Sequence, residues 1–230
     1  MSEPGGGGDR REHLHAIVAA IGTDLDGANG AREQALPACR RAIRAAGSSI
    51  RAVHRLDVAA AAALAAESEA AVRDAQRALV PFPALTHAGF LHDAEKEYVE
   101  ARAVAALVAG DPVPGPGPGP DGLAVSPTAW MRGVAEAASE LRRHLLDRLR
   151  EGDLERGEAL LAAMDDVYDA LVTVDYPDAL TNGLRRTLDA LRAVLERSRG
   201  DVTTTVLQTR LQRAIESPGE VVGREDRPLP

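Results

Sequence analysis

The 230-residue chain has little of what strands, disulfides or membrane spans require. Aromatic residues make up 3% of it, and the Ile, Thr, Tyr and Phe runs that favour extended structure are few. Cys39 is the only cysteine, which excludes an intrachain disulfide or a thiolate metal site and reads as a small core residue. No apolar stretch is long and uninterrupted enough to cross a bilayer, and the opening MSEPGGGG lacks a signal-peptide pattern. A cytoplasmic protein with no membrane partner is therefore expected. Neither a glycine-rich phosphate loop nor a G-x-S-x-G elbow occurs. Lysine is nearly absent as well. Lys96 is the only one among 27 basic residues, a bias that high genomic GC content explains as well as any function does. Against 35 acidic residues the formal net charge is −8, which excludes a simple basic coat for nucleic acid but leaves room for a local basic stripe.

What is present is helix-forming. Apolar residues reach 45%, mostly Ala, Leu and Val with Glu and Arg between them, and this composition predicts an all-α, single-domain bundle of about seven helices. Residues 1–9 and 217–230 read as disordered tails around a helical domain, 10–216, in which 110–122 is a Pro/Gly-rich connector. Helices are expected over 10–26, ending at the breaker string DGANG, then 32–54 and 57–79. VPFP stops the last of these. Further helices are expected over 84–108, 126–150 with Ser126 as cap and Pro127 behind it, 153–172, 184–199 and 203–216.

Three sets of side chains carry chemical promise. On the fourth expected helix, Asp93, Glu97 and Glu100 fall within an arc of about 60° at the edge of the apolar stripe of Phe90, Ala94, Ala101 and Ala105. Like charges in that position repel, and a divalent cation would remove the conflict. On the following helix Glu136 and Glu140 stand one turn apart, with His144 one turn further. Gly133 and Ala137 beside them are small enough for a helix or substrate backbone to come close. Two such pairs facing each other would make an all-oxygen site suited to Mg2+ or Mn2+. Spacing alone leaves two other readings open, a solvated acidic edge and an ion-paired wet face. The third set is basic. Arg40, Arg44, Arg51 and Arg55 occupy an arc of about 60° with His54 beside them, an arrangement suited to successive phosphates of a nucleic-acid backbone or to acidic neighbours.

Other features have plainer readings. His13 and His15 point to different faces, Arg199-Gly200-Asp201 is a chance tripeptide, and the His92-Asp93 dipeptide hints at an HD-type phosphohydrolase without further ligands in place.

Two stretches, HAGFLHDAEKEYVEA (87–101) and WMRGVAEAASELRRHLLDRLREGD (130–153), resemble the central region of the translin and translin-associated factor X family. AREQALPACRRAIRAAGSSIRAVHR (31–55) and VYDALVTVDYPDALTNGLRRTLDALRAVLER (167–197) are similar to its early and late helices. The resemblance implies an all-helical fold assembled into a closed, roughly octameric shell that binds nucleic acid. It is closer to the translin-associated factor X branch, which supplies metal-dependent endoribonuclease activity. In that branch the functional carboxylates lie in E-Y-V-E and just before the later E-L. These positions carry Glu97, Glu100 and Glu140 here, with Glu136 where an aspartate is expected. The resemblance thus implies Glu97, Glu100, Glu136 and Glu140 as catalytic and metal-holding residues and Mg2+ or Mn2+ as cofactor. Its partners would be RNA or single-stranded DNA, gripped by Arg40, Arg44, Arg51, His54 and Arg55, in a homo-octamer. A non-cutting nucleic-acid coat and a purely structural oligomer are the alternatives.

Overall fold

In the computed structural model, residues 6–117 and 122–216 are described, and the expected C-terminal tail 217–230 lies outside them. The described residues form eight helices and no strand, beyond one isolated bridge between Pro116 and Leu123.

The first helix, α1 (Gly6–His54), is a single rod of 49 residues, about 70 Å long. It corrects two expectations. It starts inside the segment read as a disordered tail, and it runs through DGANG without a break. The glycines there cost about 1 kcal/mol each relative to alanine, but the ladder on both sides and a buried row of Ala31, Ala35, Ala38 and Ala42 outweigh that. Gly27 has a packing role, since a Cβ there would sit 3.0 Å from the Phe82 ring. Pro37 also lies within α1, on its exposed side, where the carbonyl it leaves unpaired can be hydrated.

Helix α2 (Val58–Leu79) returns along α1 after a turn in which Asp57 accepts from the Ala60 amide at 3.0 Å. The fourth expected helix is split. A four-residue turn, α3 (Pro83–Thr86), ends before Gly89, whose φ of 89° starts a new direction for α4 (Phe90–Ala109). Gly110 closes α4 in the left-handed conformation. The connector is pinned at both described ends: Gly117 N donates to Leu123 O, and Trp130 Nε1 donates to Pro114 O at 2.7 Å. Helices α5 (Pro127–Arg150) and α6 (Leu154–Val172) begin where the caps Ser126 and Asp153 predict. A short turn, α7 (Asp178–Thr181), leads into α8 (Leu184–Glu216).

Helix α8 is also unbroken, where two helices were expected. Arg142 donates to Asp201 at 2.7 Å, Arg199 donates to Asp165 at 2.7 Å, and Val202 is buried. The chance tripeptide is therefore held by tertiary ion pairs. Helix α5 is the hub, packing on α4, α6 and α8, while α1 packs on α2 and α4. The core is built from alanine, leucine and valine around the fully buried Tyr98. An apolar row of Leu14, Ile17, Val18, Ile21 and Leu25 lies exposed on the first half of α1, and Leu207, Leu211 and Ile215 lie exposed at the end of α8. No helix among the described residues is long and apolar enough to cross a membrane.

Candidate active site

The site begins with a glycine. A Cβ added to Gly133 would lie 2.6 Å from the Lys96 carbonyl oxygen and 2.7 Å from Val99 Cβ, so α5 meets α4 backbone to backbone there. This approach sets residues 96–100 beside residues 132–140. Carboxylate oxygens of Glu97, Glu100 and Glu136 lie within 4.8 Å of one another. Glu97 and Glu136 keep 28% of their side-chain surface, so the group is neither an open acidic edge nor a sealed core. Glu100, Glu136, Ser139 and Glu140 line one side of a cavity of about 510 Å³, and Arg186 and Thr187 of α8 line the other.

Each acid has a distinct environment. Lys96, only 8% exposed, donates to Glu97 Oε1 at 3.0 Å and to Glu136 Oε2. Burial alone would lower its pKa, but hydrogen bonds to Glu136 and Glu97 hold it above its ordinary value. Arg132 lies 3.5 Å from the other oxygen of Glu136. Glu100 is ion-paired with no cation among the described residues, and burial, followed by the charges of Glu97 and Glu136, pushes its pKa up to about 8 against the weaker pull of Lys96. Glu140 stands apart from the three-acid group, its Oε1 2.7 Å from His54 Nε2. His144, behind it, is buried, and burial followed by the nearby Arg148 keeps its pKa low.

Of the four glutamates singled out by sequence, Glu97, Glu100 and Glu136 cluster, while Glu100, Glu136 and Glu140 line the cavity. Asp93 does not join them; its side chain is 62% exposed and lies 3.8 Å from His92. Neither His92 nor Asp93 enters the acidic group. Arg40, Arg44 and Arg51 are exposed on α1 and Arg55 is exposed in the turn just after it, and among the described residues none has a carboxylate within 4.0 Å. His54 must be separated from that stripe. Its side chain is 3% exposed and turned onto Glu140, so it belongs to the acidic site and not to the outer face. Periodicity misplaced it because it falls at the edge of the arginine arc, and only the packing of α1 on the bundle decides which way such an edge residue turns.

Sequence reasoning missed three participants. Lys96 carried one signal, its singularity among the basic residues. Glu95 was not singled out from its neighbours, yet it is buried and accepts from Ser126 N, Ser126 Oγ and Gln76 Nε2, tying α2 and the start of α5 to α4. Arg186 carried no local signal, because α8 reaches the cavity only through tertiary packing.

No family model matches the chain. An uncharacterised protein of Methanocaldococcus jannaschii is 28% identical over 134 residues, so the match spans 58% of this chain and 58% of that relative. The crystal structure of AfC3PO superposes with a TM-score of 0.76 at 28% identity, covering 84% of this chain and 98% of that one. The structure of AfC3PO in complex with duplex RNA gives a TM-score of 0.68 at 28% identity, over 84% of this chain and 97% of the other. Apo-NeC3PO, at 17% identity and a TM-score of 0.70 over 82% of this chain and 96% of its own, shares the fold.

Proposed function

From its likeness to AfC3PO and its resemblance to the translin family, we propose that this chain is a translin-family protein and a metal-dependent endoribonuclease of the translin-associated factor X type, working as a homo-oligomer. The observation that carries this reading is the convergence of Glu97, Glu100 and Glu136 within 4.8 Å beside a cavity that also admits Glu140. An all-oxygen, multiply anionic set of this kind fits a hard divalent cation such as Mg2+ or Mn2+. Glu97, Glu100 and Glu136 would hold it, with Glu140 completing the site from the next turn of α5. When bound, such an ion would supply Lewis-acid chemistry, easing charge on a phosphodiester oxygen and lowering the pKa of water so that hydroxide is available as the nucleophile.

The protein's own residues do the rest. Lys96 balances Glu97 and Glu136 and keeps their carboxylates pointed at one place. His54 fixes Glu140. The exposed row Arg40, Arg44, Arg51 and Arg55 offers repeated guanidinium contacts along a nucleic-acid backbone, with RNA favoured because AfC3PO is solved with duplex RNA. The exposed apolar rows on α1 and α8 are surfaces that a second copy of the chain would cover, in keeping with a shell of about eight subunits.

A non-cutting RNA-binding oligomer is the second reading. One observation favours it: Lys96 already supplies a cation to two of the acids. Incubating the protein with short labelled RNA in Mg2+ and in EDTA separates the two. Cleavage in Mg2+ alone supports the nuclease; binding without cleavage in either buffer supports the coat.

A further inference from the structure

The cations around the acidic cavity are not equivalent. Lys96 is bound to Glu97 and Glu136, Arg132 lies against Glu136, and Arg142 is bound to Asp201 and Ser198. Arg185 pairs with Asp175 at 3.4 Å. Arg186, its neighbour, lines the cavity opposite Glu100, Glu136 and Glu140, yet among the described residues it has no carboxylate within 4.0 Å and no side-chain hydrogen bond. It is exposed, and its five guanidinium donors are uncommitted.

A phosphate entering this cavity meets several glutamates, and without an offsetting cation that approach is repulsive. Lys96 cannot serve without releasing the acids it holds. We propose that Arg186 is the residue that takes hold of the RNA phosphate at the acidic site, drawing the backbone across the cavity toward the glutamates. A guanidinium suits this task because it binds two phosphate oxygens side by side and stays charged at any physiological pH. The assignment rests on the RNA reading above and deepens it: the arginine row on α1 holds the strand along its length, and Arg186 places one phosphate at the chemistry. Arg186 acts on the sugar-phosphate backbone and contributes no base preference.

The test uses the full-length protein and three variants, Arg186→Gln, Arg186→Lys and Arg185→Gln, with a short labelled single-stranded RNA. Binding is measured in EDTA over a range of salt, and Mn2+ binding is measured separately without RNA. Arg186→Gln should weaken RNA binding about tenfold, the loss of one charge-assisted contact. It should also flatten the salt dependence by about one phosphate contact, with Mn2+ affinity unchanged or tighter. Arg186→Lys should recover part of the affinity, because charge returns without the two-pronged geometry, and Arg185→Gln should behave as wild type. Unchanged affinity and salt slope in Arg186→Gln overturn the proposal, as does an equal loss in Arg185→Gln. If the wild type binds RNA but never cuts it, while Arg186→Gln still loses affinity, the nuclease reading falls and Arg186 keeps its role.

Discussion

His54 Nε2 and Glu140 Oε1 lie 2.7 Å apart, joining the last turn of α1 to the middle of α5 across 86 residues of chain. The contact makes His54 a positioning residue for one acid of the cavity. Replacing His54 with Ala should lower Mn2+ affinity by about tenfold, the usual scale for losing the partner that orients a ligand. RNA binding in EDTA should stay as in the wild type, because the side chain is 3% exposed. The reverse pattern, weaker RNA binding with intact Mn2+ affinity, would return His54 to the arginine row.

Gly133 controls the separation of α4 and α5. Gly133→Ala places a methyl group 2.6 Å from a backbone oxygen, which cannot rotate away, so the helices must part. A cost of about 1–3 kcal/mol is expected, which lowers Tm by about 3–10 °C and opens the glutamate cluster. Gly22→Ala is the control, since nothing lies within 4 Å of its added Cβ and helix propensity improves. Thermal unfolding should rank Gly22→Ala at or above wild type and Gly133→Ala below it.

Glu100 gives the metal-free protein a pH dependence. Its folded pKa of about 8 lies above the ordinary 4.5, so the folded state holds a proton that the unfolded state releases. Stability from this group is full below about pH 4.5, declines as pH rises, and is lost once pH passes about 8. Glu100→Gln keeps a neutral group at every pH. In EDTA, the difference in Tm between Glu100→Gln and wild type should therefore widen from pH 5 to pH 9, and a constant difference would place the charge in water.

The arginine row predicts a binding phenotype without a folding one. Arg44 and Arg51 are exposed and free of carboxylate partners among the described residues. Changing both to Ala should weaken RNA binding regardless of sequence and reduce the salt slope by about one to two phosphate contacts, with the oligomer intact. Affinity and slope equal to the wild type would move the strand-holding surface off α1.

Much of this was legible in the sequence. Alanine-rich periodicity gave the helical class, Ser126-Pro127 and Asp153 marked two starts, and of the four glutamates picked out Glu97, Glu100 and Glu136 cluster while Glu140 meets His54. The misreadings share a cause. Glycine strings around 27–30 and 200 signal breaks locally, but Ala31, Ala35 and the Arg142–Asp201 pair hold those stretches in helix through distant contacts. The inward turn of His54, the burial of Glu95 and the arrival of Arg186 depend in the same way on which helix lies alongside. Periodicity assigns a residue to a face of its own helix and says nothing of what that face meets.

The nuclease claim is tested most directly by one cleavage assay on short labelled RNA, comparing wild type with Glu97→Gln and Glu140→Gln in Mg2+ and in EDTA. Glutamine keeps the size and most hydrogen bonding but removes an anionic ligand, and with it the hold on a hard cation. RNA binding should hold or tighten, because negative charge facing phosphate is gone. The account predicts cleavage by wild type in Mg2+ only, none by either variant, and an unchanged oligomer throughout. Wild-type cleavage rates in both variants would contradict it and leave these glutamates without a catalytic role.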